Sequence, residues 1–132
     1  MWLFKTEPAT YSFADLERDE ETMWDGVTNA LALKHLRSVE EGDTVLIYHT
    51  GDEKQIMGVA EVTRTSYPNP EEDDPKLVVC DVSFVRHLEK PITLAQIKAI
   101  PELASWELVR NSRLSVVPVS DEVREHLKPW LE

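Results

Sequence analysis

Three aromatic side chains stand at the ends of predicted elements, beside residues that can form hydrogen bonds. Trp24 lies in a polar segment just before a predicted helix, whereas Tyr11 precedes another helix and Tyr48 ends a strand. Aromatic rings in such positions can form the walls of a ligand pocket, and polar neighbours can supply its hydrogen bonds. The polar candidates are Ser12, Asp25, Asn29 and Thr50. The pattern equally allows Trp24 to close one end of the core, with Tyr48 packed beside it.

The residue types that bind metals or act as nucleophiles form no recognisable pattern. The four histidines, at positions 35, 49, 87 and 126, include no i, i+4 pair, and Cys80 is the single cysteine. The sequence therefore predicts no metal site. Cys80 lies among valines in a predicted strand, where a small buried side chain is expected. Lys5, Glu7 and His49 could in principle perform acid–base chemistry, but nothing else supports catalysis. We expect a protein with neither catalytic activity nor a cofactor.

The charge of the chain is strongly negative but unevenly distributed. The 132 residues carry a net charge of −11, from 25 acidic and 14 basic side chains. Three stretches, at residues 15–21, 40–43 and 71–74, contain 12 of the acids and one base, which leaves 13 acids and 13 bases elsewhere. Nucleic-acid binding usually requires a basic surface, and this distribution permits a modest one. Each acidic stretch by itself is typical of a solvated loop or helix face.

Composition also limits the class of protein and its compartment. No apolar run approaches the roughly 20 residues that a membrane helix needs, so a membrane protein is not expected. The first residues lack the basic and apolar regions of a signal peptide, and one cysteine allows no internal disulfide. Together these features favour a reducing, intracellular location, and we expect a cytoplasmic protein.

The elements that must position the aromatic residues follow from hydrophobic periodicity and capping signals. Ser12 with Asp15 predicts an N-capped helix to about Asp19, and Asn29 predicts a second helix with an apolar stripe. Further helices are expected after Thr93 and Ser120, the last shortened by Pro129. Strands are expected at residues 2–5, 44–49, 55–65, 77–88 and 114–119. The prolines that flank the acidic run at 71–74 predict an exposed loop.

These elements indicate one α+β domain that spans residues 1–132, with a curled or barrel-like, mainly antiparallel sheet. No linker or internal repeat divides the chain. The four glycines, at 26, 42, 51 and 58, are not spaced like a phosphate-binding loop. A Rossmann or P-loop nucleotide enzyme is therefore not expected.

Blocks along nearly the whole chain resemble the EVE domain family, in the order that the family shows. They are WLFKTEP at 2–8 with Tyr11-Ser12, WDGVTN at 24–29, Gly42-Asp43, Tyr48-His49, IMGVAEV at 56–62, Tyr67-Pro68 and RLSVVPV at 113–119. Each block alone is weak, but together they are highly specific. Two positions depart from the family: Thr28 stands where Arg is frequent, and Thr50 stands where Ser often follows Tyr-His. The first departure removes a possible phosphate or ligand contact.

The resemblance implies a PUA-like fold, a small closed β-barrel with short helices around it, related to YTH and ASCH domains. It also implies a reader of modified nucleic acid, notably of 5-modified cytosine in DNA. A base extruded from its stack needs aromatic walls and polar groups at its edge. Carried over by block, Trp24 and Tyr48 are the walls. The remaining base-pocket residues are Tyr11, Ser12, Asp25, Asn29, His49 and Ser115, and the phosphate contacts are Lys5, Lys34, Arg110 and Arg113.

Three other functions remain open on the sequence. The first is a module directed at structural or transfer RNA. The second is a small enzyme acting on a modified nucleotide, with His49 or Glu7 as its base. The third is a protein-interaction subunit whose acidic loops meet a basic partner. The residues do not identify the modified base or the oligomeric state.

Overall fold

Six strands form one mixed sheet in the computed structural model, which describes residues 1–131. The strands are β1 (Trp2–Thr6), β2 (Glu21–Trp24), β3 (Thr44–His49), β4 (Gln55–Pro68), β5 (Val78–Thr93) and β6 (Val116–Pro118). The α-helices are α1 (Phe13–Asp19), α2 (Ala30–Leu36), α3 (Leu94–Lys98), α4 (Glu107–Arg110) and α5 (Asp121–Leu131), with a 3-10 turn at Pro101–Leu103. The α+β class predicted from the sequence is confirmed.

The strand order is β2-β5-β4-β3-β1-β6, and every neighbouring pair is antiparallel except β1 and β3, which run parallel. Parallel neighbours require a long crossover. Here α1, β2 and α2 all lie on the crossover between β1 and β3. In the described part of the chain β2 and β6 end the sheet without pairing to each other, so its strand pairing is open. Closure into a barrel stays a prediction.

The core is continuous through the sheet and the faces of the helices that cover it. Val45 to Tyr48 are all buried in β3, as are Leu3 and Phe4 in β1. Successive residues of a strand point to opposite faces, so both faces of these interior strands are covered. The apolar stripe predicted for the second helix consists of Ala30, Leu31, Leu33, Leu36 and Val39. It is partly wrong, because Leu33 and Leu36 are buried but Leu31 is 42% exposed.

The sequence does not predict strand β2, because the segment around Trp24 is more polar than a typical core strand. Residues Glu21–Trp24 pair antiparallel with β5, and Trp24 lies opposite Cys80. An edge strand has one solvated side, so Glu21 can be exposed while Trp24 is buried. Four residues are too few to show the alternation that identifies a strand.

The ends of three further elements also differ from expectation. Strands β4 and β5 extend beyond residues 65 and 88 and form a long hairpin, interrupted by register shifts such as the one between Ile56 and Gly58. Helix α5 continues through Pro129 to Leu131 rather than ending before it. Proline has no backbone N–H, so Pro129 removes one hydrogen bond of the helix. Because Pro129 lies in the last turn, the hydrogen bonds of the preceding turns are kept.

Gly58 allows α1 to dock against the sheet. A Cβ at this position would lie 2.6 Å from the Arg86 carbonyl oxygen and would overlap the Phe13 ring, which is buried at the start of α1. Both neighbours are held, one by the backbone of β5 and the other by the core. We therefore expect Gly58→Ala to lower the free energy of unfolding by at least about 1–3 kcal/mol. Chemical denaturation measures this loss, and the exposed substitution Glu61→Gln on the same strand should change stability by less than about 0.5 kcal/mol.

The acidic loop between β4 and β5 should contribute little to stability. Residues 70–76 are exposed, whereas Asn69 is buried and its N–H donates to the Leu77 carbonyl at 2.9 Å, which closes the base of the loop. Deletion of residues 71–74 keeps both residues of this hydrogen bond and removes four like charges. We expect the melting temperature to stay nearly unchanged. Loss of the cooperative thermal transition would contradict this prediction.

Candidate functional site

A cavity of about 390 Å³ lies where the end of β1 meets β2 and the turn before α1. It is lined by Lys5, Thr6, Glu7, Thr10, Tyr11, Thr22, Met23, Trp24, Asp25 and Gly26. Four of these residues, Lys5, Tyr11, Trp24 and Asp25, belong to the predicted site. Two larger cavities, of about 540 and 450 Å³, contain no predicted site residue. The smaller cavity is therefore the candidate site.

Trp24 belongs to both the core and the cavity. Its side chain is only 6% exposed, and its ring centroid lies 5.6 Å from that of Phe4 in β1. The ring of Tyr11 stands edge-on to it at 6.4 Å. The sequence left open whether Trp24 belongs to the core or to a pocket wall. Its ring does both, because it packs on the core and also forms part of the cavity wall.

Tyr11 is held by contacts on several sides. Its backbone N–H and that of Thr10 both donate to the Glu7 carbonyl at 2.9 Å, and its own carbonyl accepts from the Thr6 hydroxyl at 2.6 Å. The phenol donates to the Asp19 carboxylate at 2.9 Å. Burial, with a further contribution from Asp19, raises the pKa of Tyr11 above its ordinary value. The ring is therefore a neutral, fixed surface.

Lys5 lies at the cavity with its ammonium partly withdrawn from water. Nζ donates to the Ser112 carbonyl at 3.1 Å and lies 5.9 Å from the centroid of the Tyr48 ring. Burial lowers the pKa of Lys5 from its ordinary value. Tyr48 itself is 4% exposed and pairs beside Lys5 in the sheet. It does not line the cavity, so the structure does not place Tyr48 and Trp24 as two facing walls.

Two carboxylates line the cavity, and they differ in how they are bonded. Glu7 accepts from the Ala9 N–H at 3.2 Å and from the Thr50 hydroxyl at 3.3 Å, so both its oxygens have partners. Asp25 is exposed at the end of β2 and makes no hydrogen bond or ion pair with any residue in the range 1–131. Asp25 is therefore the carboxylate that is free to accept from a ligand.

Ser12 and Asn29 cap helices rather than line the cavity. The Ser12 hydroxyl accepts from the Asp15 N–H at 3.0 Å, and the Asp15 carboxylate accepts from the Ser12 N–H at 2.9 Å, which forms a capping box. The Asn29 side-chain oxygen accepts from the N–H groups of Leu31 and Ala32, each at 3.0 Å. Both oxygens satisfy helix donors that otherwise lack partners.

His49 is a buried structural residue in the described structure. Nε2 lies 2.9 Å from the Phe13 N–H, and Nδ1 lies 3.2 Å from Glu53 Oε1. A backbone N–H can only donate, so Nε2 is the acceptor and Nδ1 carries the proton that Glu53 accepts. The ring thereby ties the start of α1 to the end of β3. Lys5, Glu7 and His49 are thus not assembled as an acid–base set.

The remaining predicted residues lie around the cavity or away from it. Ser115 contributes its carbonyl, which accepts from the Lys5 N–H at 2.9 Å. Arg113 is exposed and directly follows Ser112, the residue that anchors the Lys5 ammonium. Arg110 is exposed with Glu107 at 3.8 Å, and Lys34 is exposed on α2. None of these three cations lines the cavity.

Sequence reasoning missed the threonines of the cavity, Thr6, Thr10 and Thr22. Thr22 and Trp24 stand two residues apart on β2 and therefore point to the same side of that strand. A recognised strand at this position would have identified Thr22. No sequence pattern identifies Thr6 and Thr10 as cavity residues, because their position in the cavity depends on the conformation of the turn at residues 7–11.

Two other structural features are absent from the described range. No group of three or more His, Cys, Asp or Glu residues among positions 1–131 is arranged to hold a metal ion. No helix in that range is long and apolar enough to cross a membrane.

Comparison with solved structures shows a shared fold over almost the whole chain. A Rhodopseudomonas palustris protein determined by NMR superposes with a TM-score of 0.91 at 36% identity, covering 98% of this chain and 90% of that one. The human THYN1 protein, crystallised in complex with 5-methylcytosine-containing DNA, gives 0.87 at 29% identity, covering 96% and 95%. An ASCH protein of Zymomonas mobilis gives 0.59 at 13% identity, covering 99% and 95%, and shares the fold alone.

Sequence comparison leads to the same group of proteins. Human thymocyte nuclear protein 1 is 30% identical, in an alignment that covers 92% of this chain and 69% of that protein. A profile of the EVE domain matches residues 1–128. The chain therefore belongs to the EVE domain family.

Proposed function

We propose that this protein binds a modified base of DNA, of the 5-methylcytosine type, in the cavity between Trp24, Tyr11 and Lys5, and that it does so without chemical turnover. The observation that carries the proposal is the cavity itself. Its volume of about 390 Å³ lies in the range of small-ligand sites. The aromatic rings of Trp24 and Tyr11, with the polar groups around them, fit a planar ligand with a polar edge.

A relative supports the same ligand class. The human THYN1 protein, similar over 96% of this chain at a TM-score of 0.87, was crystallised with DNA that contains 5-methylcytosine. Four residues predicted for ligand contact line the cavity here, namely Lys5, Tyr11, Trp24 and Asp25. Their convergence is independent of the relative's ligand, because it follows from the way β1, the turn before α1 and β2 meet.

The polar groups match a cytosine better than a thymine. Cytosine carries an exocyclic amino donor at the position where thymine carries an oxygen acceptor. The Asp25 carboxylate can only accept hydrogen bonds when it is ionised, and it is the carboxylate of the cavity without a partner in the described chain. An amino group beside it would be bonded, whereas a carbonyl oxygen would be repelled.

The absence of turnover is proposed because the cavity lacks an assembled pair of nucleophile and base among its described residues. His49 is bonded at both ring nitrogens away from the cavity. Glu7 has partners at both carboxylate oxygens. Burial raises the pKa of the Cys80 thiol to about 12, and Cys80 lies in β5 outside the cavity lining. Incubation with nucleosides that leaves them unchanged, as measured by mass spectrometry, tests this part of the proposal.

Asp25→Ala tests the ligand assignment directly. The side chain is exposed, so we expect stability to change by less than about 0.5 kcal/mol. Loss of a charged hydrogen bond of about 1.5–3 kcal/mol should weaken binding to a 5-methylcytosine oligonucleotide roughly tenfold to a hundredfold. Fluorescence anisotropy measures this affinity.

The matched control for Asp25→Ala is Asp73→Ala in the exposed acidic loop. Removal of either acid reduces electrostatic repulsion of DNA, so electrostatics alone predicts tighter binding for both variants. Weaker binding by Asp25→Ala alone supports a direct contact. If both variants bind DNA more tightly than wild type, Asp25 is not a ligand residue.

Trp24→Ala tests the double role of this tryptophan. The ring is 6% exposed, so truncation should cost about 3–5 kcal/mol of stability. It should also remove a stacking surface worth about 1–3 kcal/mol of binding. Affinity must therefore be compared at a temperature where thermal melting shows the variant to be folded. A folded variant with wild-type affinity would exclude Trp24 from the binding surface.

A further inference from the structure

Lys5 does not have the surroundings of a lysine that contacts phosphates. Such lysines act as hydrated point charges on mobile side chains. The Lys5 ammonium is instead tethered to the Ser112 carbonyl at 3.1 Å and lies near the face of the Tyr48 ring. The backbone N–H of Lys5 donates to the Ser115 carbonyl, so the backbone and the side chain of Lys5 are both anchored to the segment at residues 112–115.

The charges around Lys5 also disfavour a phosphate. Two carboxylates, Glu7 and Asp25, line the same cavity, against the single ammonium of Lys5. A phosphodiester in the cavity would meet a net negative charge, whereas the edge of a neutral base would not. The ammonium has three donors, and among residues 1–131 it donates to one acceptor, the Ser112 carbonyl. Donors therefore remain for a ligand.

We propose that Lys5 reads the base rather than the backbone: its ammonium donates to a ring acceptor or carbonyl of the bound base, while Asp25 accepts from the exocyclic amino group. This inference rests on the function proposed above and deepens it. Lys5 and Asp25 together select a base that carries an amino donor next to an acceptor, as in cytosine, and reject thymine, which presents a carbonyl in place of the amino group. Exposed cations outside the cavity then contact the phosphates. One of these cations is Arg113, which directly follows Ser112, the residue whose carbonyl binds the Lys5 ammonium.

Free nucleosides separate the two roles, because they contain a base and no phosphate. The variant is Lys5→Met, which keeps the length of the side chain and removes the charge, and the matched control is Arg113→Gln. The probes are 5-methyl-2′-deoxycytidine, thymidine and an oligonucleotide with one 5-methylcytosine. Calorimetry measures nucleoside affinity, and oligonucleotide binding is measured over a series of salt concentrations.

We expect wild-type protein to bind 5-methyl-2′-deoxycytidine in preference to thymidine. Lys5→Met should weaken nucleoside binding about tenfold to a hundredfold and leave the salt dependence of oligonucleotide binding unchanged. Arg113→Gln should leave nucleoside affinity unchanged and reduce the salt slope by about one. An unchanged nucleoside affinity in Lys5→Met, together with a salt slope reduced by about one, would overturn the proposal and make Lys5 a phosphate contact.

The failure of this inference is distinguishable from that of the proposed function. If wild-type protein binds neither the nucleoside nor the oligonucleotide, the proposed function is wrong, and the role of Lys5 falls with it. If both bind but Lys5→Met does not affect the nucleoside, only the role of Lys5 is wrong.

A pH titration of wild-type protein keeps the test valid should Lys5→Met fail to fold. Burial lowers the pKa of Lys5, so its donors are lost at a lower pH than those of an ordinary lysine. The other groups that face it are Tyr11 and Tyr48, whose pKa values are raised by burial, and the carboxylates Glu7 and Asp25. Nucleoside affinity should therefore fall as pH rises through the Lys5 pKa. An affinity that stays constant up to about pH 10.5, the ordinary lysine value, would contradict the proposal.

Discussion

The parallel pairing of β1 with β3 is the constraint on which the site depends. Because the two strands point the same way, the chain must leave the end of β1, cross the molecule and return to the start of β3. This crossover contains α1, β2 and α2. Its first part places Tyr11 above the end of β1, and its second part brings Trp24 beside Phe4. The cavity is the space left where the outgoing turn and β2 meet at that end of the sheet.

The crossover is fixed by contacts that use much of the local polar chemistry. Ser12 and Asn29 satisfy the first donors of α1 and α2, and His49 binds the start of α1 from the end of β3. A buried donor without a partner costs about 1–3 kcal/mol, so these side chains are committed to the fold. The groups that remain available to a ligand are those that make few hydrogen bonds within the protein. In the cavity these groups include Asp25 and the remaining donors of Lys5.

The negative charge of the chain is compatible with a nucleic-acid partner because of where the acids lie. The acidic loop at residues 70–76 is exposed between β4 and β5 and is not part of the cavity lining. Interactions between exposed charges are largely screened beyond about 8–10 Å at physiological salt. Local charge at the cavity therefore matters more than the total of −11. That local charge, two carboxylates and one half-buried ammonium, suits the edge of a base better than a phosphate.

The parts of the structure that the sequence determined by itself are those set by near neighbours. Ser12 with Asp15, Asn29 and Thr93 predict three helix starts correctly, because a cap depends on the next three residues. The apolar run of β3 and the antiparallel partner that follows it were also predictable, since short-range pairing follows from alternation and a turn.

The tertiary structure alone decided which polar groups line the cavity. The capping signature of a serine or asparagine does not tell whether the same side chain also lines a cavity, so the position of Ser12 and Asn29 outside the cavity could not be predicted. Strand β2 forms only because β5, far along the chain, offers it an edge. The position of Lys5 depends on the carbonyl of Ser112, which is 107 residues away. Contacts between such distant segments depend on the packing of the whole sheet, and no local pattern of residues encodes them.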